Sequence, residues 1–292
     1  LNKIIESWIL LAILCSFFES LKNLWSKKAL QENVSALIVA FYTRFISGVL
    51  ILPFIFPELL TAAGNDNWRR LLIGGAGLNA INVFLFMRAL ARGSLSSAEP
   101  IMNFTPFFLL LTAPIFIGEF PNFLGIAGML AIMAGAWSLN YKPGASIAQP
   151  FIHLLEAPGP RLMLLVAFLA SITTLIDKKG ILLSSPLVWT GAINLTISLL
   201  YFTTLLYKKQ TLTLLKWNKW FFWAGFANGL STFCQMLALK LAFTAYVISI
   251  KRTSAIFSIV FGYYLLKENT TIYQLIGVII MIGGVLLITF TR

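Results

Sequence analysis

The sequence predicts an all-α integral membrane protein of ten transmembrane helices, arranged as two inverted five-helix repeats. Three observations carry this reading. The 292 residues are 59% hydrophobic and only 11% charged, with a mean hydropathy of +0.86, whereas soluble domains are about half apolar and about a quarter charged. Ten apolar stretches each approach the roughly 20 residues that a bilayer-crossing helix needs. The second half of the chain also repeats charged and glycine positions of the first. The same composition excludes a disordered chain, which needs low hydrophobicity and high charge. A formal charge of +12 would point to nucleic acid in a soluble protein. Here it reads as Lys and Arg gathered beside membrane spans, and no nucleic-acid partner is expected.

The first span covers residues 7–27, bracketed by Trp8 and Trp25 as interfacial anchors. Glu19 and Lys22 lie in it, three residues apart on one helical face. Those charges, and the lack of a small-residue cleavage site, separate it from a signal peptide. The second span, 34–57, follows Gln31-Glu32-Asn33 and holds Arg44 near its middle. The third, 69–91, carries Asn79 and Asn82. The fourth, 95–117, carries Glu99, Pro100, Asn103, Thr105, Pro106 and Pro114. Proline removes a backbone donor and frees the carbonyl one turn earlier, so this span is expected to be kinked or interrupted. The fifth, 122–141, has Ala127, Ala131 and Gly135 at intervals of four, a small-residue seam for close helix contact.

Residues 143–160 are rich in proline and glycine and read as a linker between a first repeat, 1–142, and a second, 161–292. His153, the only histidine, falls in this linker and reads as a solvated residue. The sixth span, 161–183, contains Asp177, and the seventh, 186–207, ends at Lys208-Lys209-Gln210. The eighth, 219–242, puts Asn228, Ser231, Thr232 and Gln235 on one helical face. The ninth, 245–266, holds Lys251 and Arg252, and the tenth, 271–290, holds Gly277 and Gly284. Little is left over within these residues for a soluble domain. Cys15 and Cys234 sit in apolar stretches and read as small hydrophobic fillers.

A shift of 149 residues superposes Asn79 on Asn228, Met87 to Leu90 on Met236 to Leu239, Glu119 on Glu268, Gly128 on Gly277 and Gly135 on Gly284, without a gap. A shift of 151 places Lys27-Lys28 on Lys178-Lys179. An odd number of spans per half means that the halves enter the membrane from opposite sides. Inverted-topology repeats of this kind build secondary transporters with a binding site near the midplane.

Particular residues give the repeat a family likeness. Ser97-Ala98-Glu99-Pro100 through Thr105-Pro106, closing with Gly118-Glu119, resembles the fourth span of the EamA family of the drug/metabolite transporter superfamily. Ala245 to Ser254, closing with Lys267-Glu268, resembles its ninth span, and the glycines from Gly125 to Gly135 and Gly277 to Gly284 resemble its fifth and tenth. The resemblance covers the whole chain. It implies a central cavity lined mainly by spans 1–4 and 6–9, a place in a prokaryotic cytoplasmic membrane, and cytoplasmic termini. Its motifs specify the fold far better than the substrate.

Charges inside a membrane are expensive and are functional candidates by default. Two clusters are expected. One joins Glu19 and Lys22 with Glu99, Arg88 and Arg92, and the other joins Asp177 with Lys251 and Arg252. Either cluster serves substrate or proton coupling, or only locks helices together. The amides of spans three and eight are expected to line a cavity or to glue helices. The candidates for substrate binding or coupling are therefore Glu19, Lys22, Arg44, Asn79, Asn82, Glu99, Asn103, Thr105, Asp177, Asn228, Thr232, Gln235, Lys251 and Arg252.

The sequence has no GxxxxGK[ST] phosphate loop, HExxH motif, Cys/His cluster or GxSxG nucleophile. No enzyme, metal or cofactor is therefore expected, and energy is expected from a gradient or from solute exchange. The expected function is secondary active transport of a small organic metabolite, anionic or amino-acid-like, by alternating access, in export or exchange. A coupling proton or a counter-solute is the further partner, with monomer and homodimer both open. A broad-specificity drug exporter is the alternative, and a channel or a non-transporting scaffold is the alternative of another class.

Overall fold

Helices account for every regular element among the described residues. A computed structural model describes residues 2–32, 34–91, 101, 103–139, 158–209, 217–266 and 271–290. In chain order its helices are α1 (Asn2–Leu30), α2 (Ala36–Ala63), α3 (Asp66–Ala91), α4 (Thr105–Ile117), α5 (Phe123–Leu139) and α6 (Pro158–Leu182). They continue as α7 (Pro186–Tyr207), α8 (Lys219–Leu241), α9 (Thr244–Lys251), α10 (Ser254–Leu266) and α11 (Ile272–Thr289). Each predicted span has a helix, and the ninth has two, α9 and α10. Five of the stretches, from Ser7–Leu30 to Ile272–Thr289, are long and apolar enough by themselves to cross a membrane.

Local chemistry sets several boundaries. Ser185 caps α7 by accepting the Val188 N–H at 3.2 Å, and Pro186 follows at the first helical position, where no amide donor is needed. Thr271 and Gln274 form a reciprocal capping box at the start of α11. Gly118 ends α4 with φ +68°, the left-handed conformation that glycine adopts without steric cost. Large apolar side chains such as Phe54, Ile115, Phe123 and Ile279 are more than two-thirds exposed, as on a protein whose solvent is lipid.

The chain forms two compact units that do not coincide with the two halves of the sequence. Unit A comprises residues 10–80 and 176–241, and unit B comprises 1–9, 81–175 and 242–292. Each draws on both halves.

In unit A, α2 packs against α7 and α8. A Cβ at Gly48 would meet Leu195 at 2.6 Å, and one at Gly225 would meet Ile46 at 2.6 Å, so the helices approach where side chains are missing. Trp189 is fully buried against Gly180, with Trp68 edge-on at 5.8 Å.

In unit B, α5 and α11 cross through a glycine seam. A Cβ at Gly128 would lie 2.7 Å from the Gly284 carbonyl oxygen, and one at Gly135 would lie 2.6 Å from that of Gly277. Under the 149-residue shift these pairs exchange places, so the contact is reciprocal. The seam runs through Gly128, Ile132 and Gly135, all buried. The expected Ala127–Ala131–Gly135 line is displaced by one residue at its first two positions. Ala127 and Ala131 are only half-buried, because the two glycines admit the closer backbone approach.

Candidate functional site

Unit B places its polar groups where helices are interrupted. Between α9 and α10 the chain turns at Arg252 and Thr253, in the middle of span nine. The Thr253 N–H reaches Ile250 O at 2.9 Å and the Ile256 N–H reaches Thr253 O at 2.9 Å, i→i+3 bonds in place of the α-helical ladder. Span four is interrupted at Asn103 and Phe104, where the Phe104 N–H reaches Ile101 O at 3.0 Å. Adding 149 to 103 and 104 gives 252 and 253, so both fourth spans break at the same repeat position. Even the closing bonds correspond, Phe104 to Ile101 and Thr253 to Ile250.

The two interruptions touch. Arg252 Nη2 donates to Thr105 Oγ1, 2.8 Å away, and Thr105 is buried at the first turn of α4. Lys251 is half-buried at the end of α9. Asn103 stands at the span-four turn, also half-buried. Asn82 has a buried Oδ1 with no hydrogen-bond partner among the described residues.

At the other end of α9, Glu119 Oε2 accepts the Thr244 N–H at 2.6 Å. A carboxylate there complements the positive end of the helix. Tyr246 adds a clasp, its hydroxyl accepting the Asn122 N–H at 3.1 Å while its ring stacks on Trp8.

Unit A holds two polar groups that together involve four helices. Arg44 Nη1 of α2 donates to Asn194 Oδ1 of α7 at 3.0 Å. Asn228 Nδ2 of α8 donates to that same oxygen at 3.2 Å and to Ser47 Oγ at 2.9 Å. Ser47 Oγ in turn lies 2.7 Å from the Gly225 carbonyl. Three residues along α8, Ser231 Oγ lies 2.9 Å from Glu19 Oε2 and 3.1 Å from the Cys15 carbonyl. Its single proton therefore chooses between two acceptors. Glu19 is ion-paired with Lys22, as their spacing predicts.

The remaining candidates fall as follows. Asp177 is in unit A and accepts the Trp189 Nε1–H at 2.9 Å, whereas Lys251 and Arg252 belong to unit B. Asn79 donates to the Gly75 carbonyl of its own helix at 3.3 Å, Thr232 bonds the Asn228 carbonyl, and Gln235 is buried. Glu99 and Arg92 lie outside the described residues, as does the side chain of Arg88. Sequence reasoning missed Asn194 and Ser47. An amide amid apolar residues in the first half of span seven was the available signal, 150 positions from Arg44. No group of His, Cys, Asp or Glu able to hold a metal occurs among the described residues.

Known proteins bear on this geometry. The model of the EamA-like transporter family matches residues 6–141 and 158–290. The pseudopaline exporter CntI of Pseudomonas aeruginosa, in strains UCBPP-PA14 and PAO1, is 29% identical over 116 residues. That match spans 40% of this chain and 40% of the exporter's length. A solved crystal structure of a protein superposes with a TM-score of 0.75 at 15% identity, covering 97% of this chain and 96% of the other. At that identity the likeness is one of fold.

Proposed function

The chain belongs to the EamA-like transporter family, and from that premise we propose a secondary active exporter of a small organic solute, anionic or amino-acid-like, working by alternating access. It is an integral membrane protein, and we place both termini in the cytoplasm. One observation carries the reading. The fourth span of each half is interrupted at the same repeat position, and the interruptions meet through Arg252 and Thr105. Discontinuous helices near mid-membrane are how repeat-built transporters offer polar groups to a solute. The reciprocal glycine seam of α5 and α11 supports an inverted pair of repeats, since a two-fold relation makes each contact occur twice. Export as the direction follows the relative named an exporter. The alternative, a broad-specificity drug exporter, would draw on Glu19 or Glu99, and of these Glu19 is paired with Lys22.

The test is efflux from proteoliposomes loaded with a metabolite extract and read by mass spectrometry. Wild-type vesicles should lose a restricted set of solutes saturably. Arg252→Gln should abolish that loss while the purified variant still elutes as a folded species. Wild-type efflux in Arg252→Gln, and likewise in Lys251→Gln, would remove these groups from the transport path. Non-saturating flux would favour a channel, and no flux at all would favour a scaffold.

A further inference from the structure

Arg44 stands without a counter-charge in the first third of the apolar helix α2. Its side chain is half-buried, and among the described residues it makes no ion pair. A guanidinium carries a fixed fork of N–H donors, and charges inside membrane-spanning helices are normally paired or line a solute path. Its one hydrogen bond among the described residues, to Asn194 Oδ1 at 3.0 Å, supplies a dipole and no charge.

The surroundings hold Arg44 and leave it unsatisfied. Asn194 is fully buried. Its Oδ1 takes both the Arg44 and Asn228 donors, which fills the two lone pairs of an amide oxygen. Its Nδ2 donates to the Thr190 carbonyl at 2.8 Å. Asn228 is tied to Ser47, and Ser47 to Gly225. Among the described residues, none of these groups makes a second hydrogen bond to Arg44. Arg44 keeps its remaining N–H groups, and none of its nitrogens is a buried atom without a partner, so they face accessible space. A fork of parallel N–H donors matches a carboxylate or phosphate bidentately.

We infer that Arg44, positioned by Asn194, is the seat of an oxyanion, a carboxylate or phosphate group, in unit A. The Arg252–Thr105 contact belongs to unit B. The Arg44 seat rests on the export reading only for the source of its occupant, taken as the acidic group of the transported solute. The seat itself rests on the uncompensated charge.

The experiment is thermal melting of the purified full chain in detergent, titrated at constant ionic strength. The probes are inorganic phosphate, succinate and the neutral analogue succinamide. The wild type should be stabilised saturably by an oxyanion and not by succinamide. A response to succinate without phosphate assigns a carboxylate. A response to phosphate alone assigns a phosphate group. Arg44→Gln should weaken apparent affinity at least tenfold. Should that variant misfold, Asn194→Asp keeps the test open, because it puts a built-in carboxylate beside Arg44. It should respond at least tenfold more weakly to the probes.

The inference falls if no oxyanion shifts the wild type, or if Asn194→Asp responds as the wild type does. Arg252→Gln separates the two readings. If it alone loses the response, the anion belongs to unit B and this inference fails while the export reading stands. If it loses efflux but keeps the response, both stand.

Discussion

Trp189 and Asp177 show how a charge inside a helical membrane protein is held by a neutral donor. The indole N–H sits 2.9 Å from the carboxylate, and its ring fills the space left by Gly180. Trp189→Phe removes a hydrogen bond to a charged group, typically worth about 1.5–3 kcal/mol, and leaves a small cavity besides. We expect a loss of about 2–4 kcal/mol, read as a lowered midpoint in denaturant. An unchanged midpoint would mean that Asp177 has a sufficient second donor. Thr105→Val makes a different prediction. It keeps the shape and removes the acceptor of Arg252. Solute affinity should fall several-fold, measured from the concentration dependence of efflux, with a smaller change in maximal rate. At this scale the sequence was partly legible. Glu19 and Lys22 advertised their pairing by a spacing of three. Asn194 did not, because one amide in an apolar helix carries no periodic signal and its value depends on which helix lies opposite.

Whole helices were easier to read than their interruptions. The break in span four was announced by its prolines and by Asn103, whereas span nine has no proline between Ala245 and Leu266. Its turn at Arg252 and Thr253 was visible only by carrying the first break across the repeat. The fifth and tenth spans tell the opposite story. Their matched glycines marked a close approach, but which residues formed the line depended on a one-residue rotation that small side chains alone leave open. This gives a sharp prediction from two adjacent glycines of α11. A Cβ on Gly284 would sit 2.6 Å from the Gly128 carbonyl oxygen, while one on Gly283 meets nothing within 4 Å. Gly284→Ala must push backbones apart, at the upper end of the roughly 1–3 kcal/mol that overpacking costs. Gly283→Ala should be neutral or stabilising by up to about 1 kcal/mol, the helix-propensity gain of alanine. Melting midpoints of the two variants, measured side by side, should move in opposite directions or differ by several degrees. Equal midpoints would mean that the seam is not closed in the membrane-extracted protein.

At the scale of the molecule, the repeat and the compact units divide the chain differently. The repeat expected from the sequence follows chain order, 1–142 and then 161–292. The units each collect helices from both halves, which no linear reading of composition could reveal. Orientation is where the sequence argues with itself. Taking the N-terminal face as one side, seven basic residues fall there and eleven on the other. The positive-inside bias, counted that way, puts the termini outside. Four of the eleven (Lys208, Lys209, Lys216 and Lys219) come from a single loop and its flank, so the bias rests largely on one connection. An odd number of spans per half makes a firmer demand. Five spans in each half, as expected from the sequence, would put the linker within 143–160 on the opposite side from both termini, whichever way the protein inserts. A reporter active only in the cytoplasm should score positive when fused after Arg292 and negative when inserted in that linker. A reporter active only outside should give the reverse pair. Scores exchanged between the two sites would keep the five-span halves and reverse the orientation. Equal scores at the two sites would mean that one half crosses an even number of times, and the inverted repeat would fall with it.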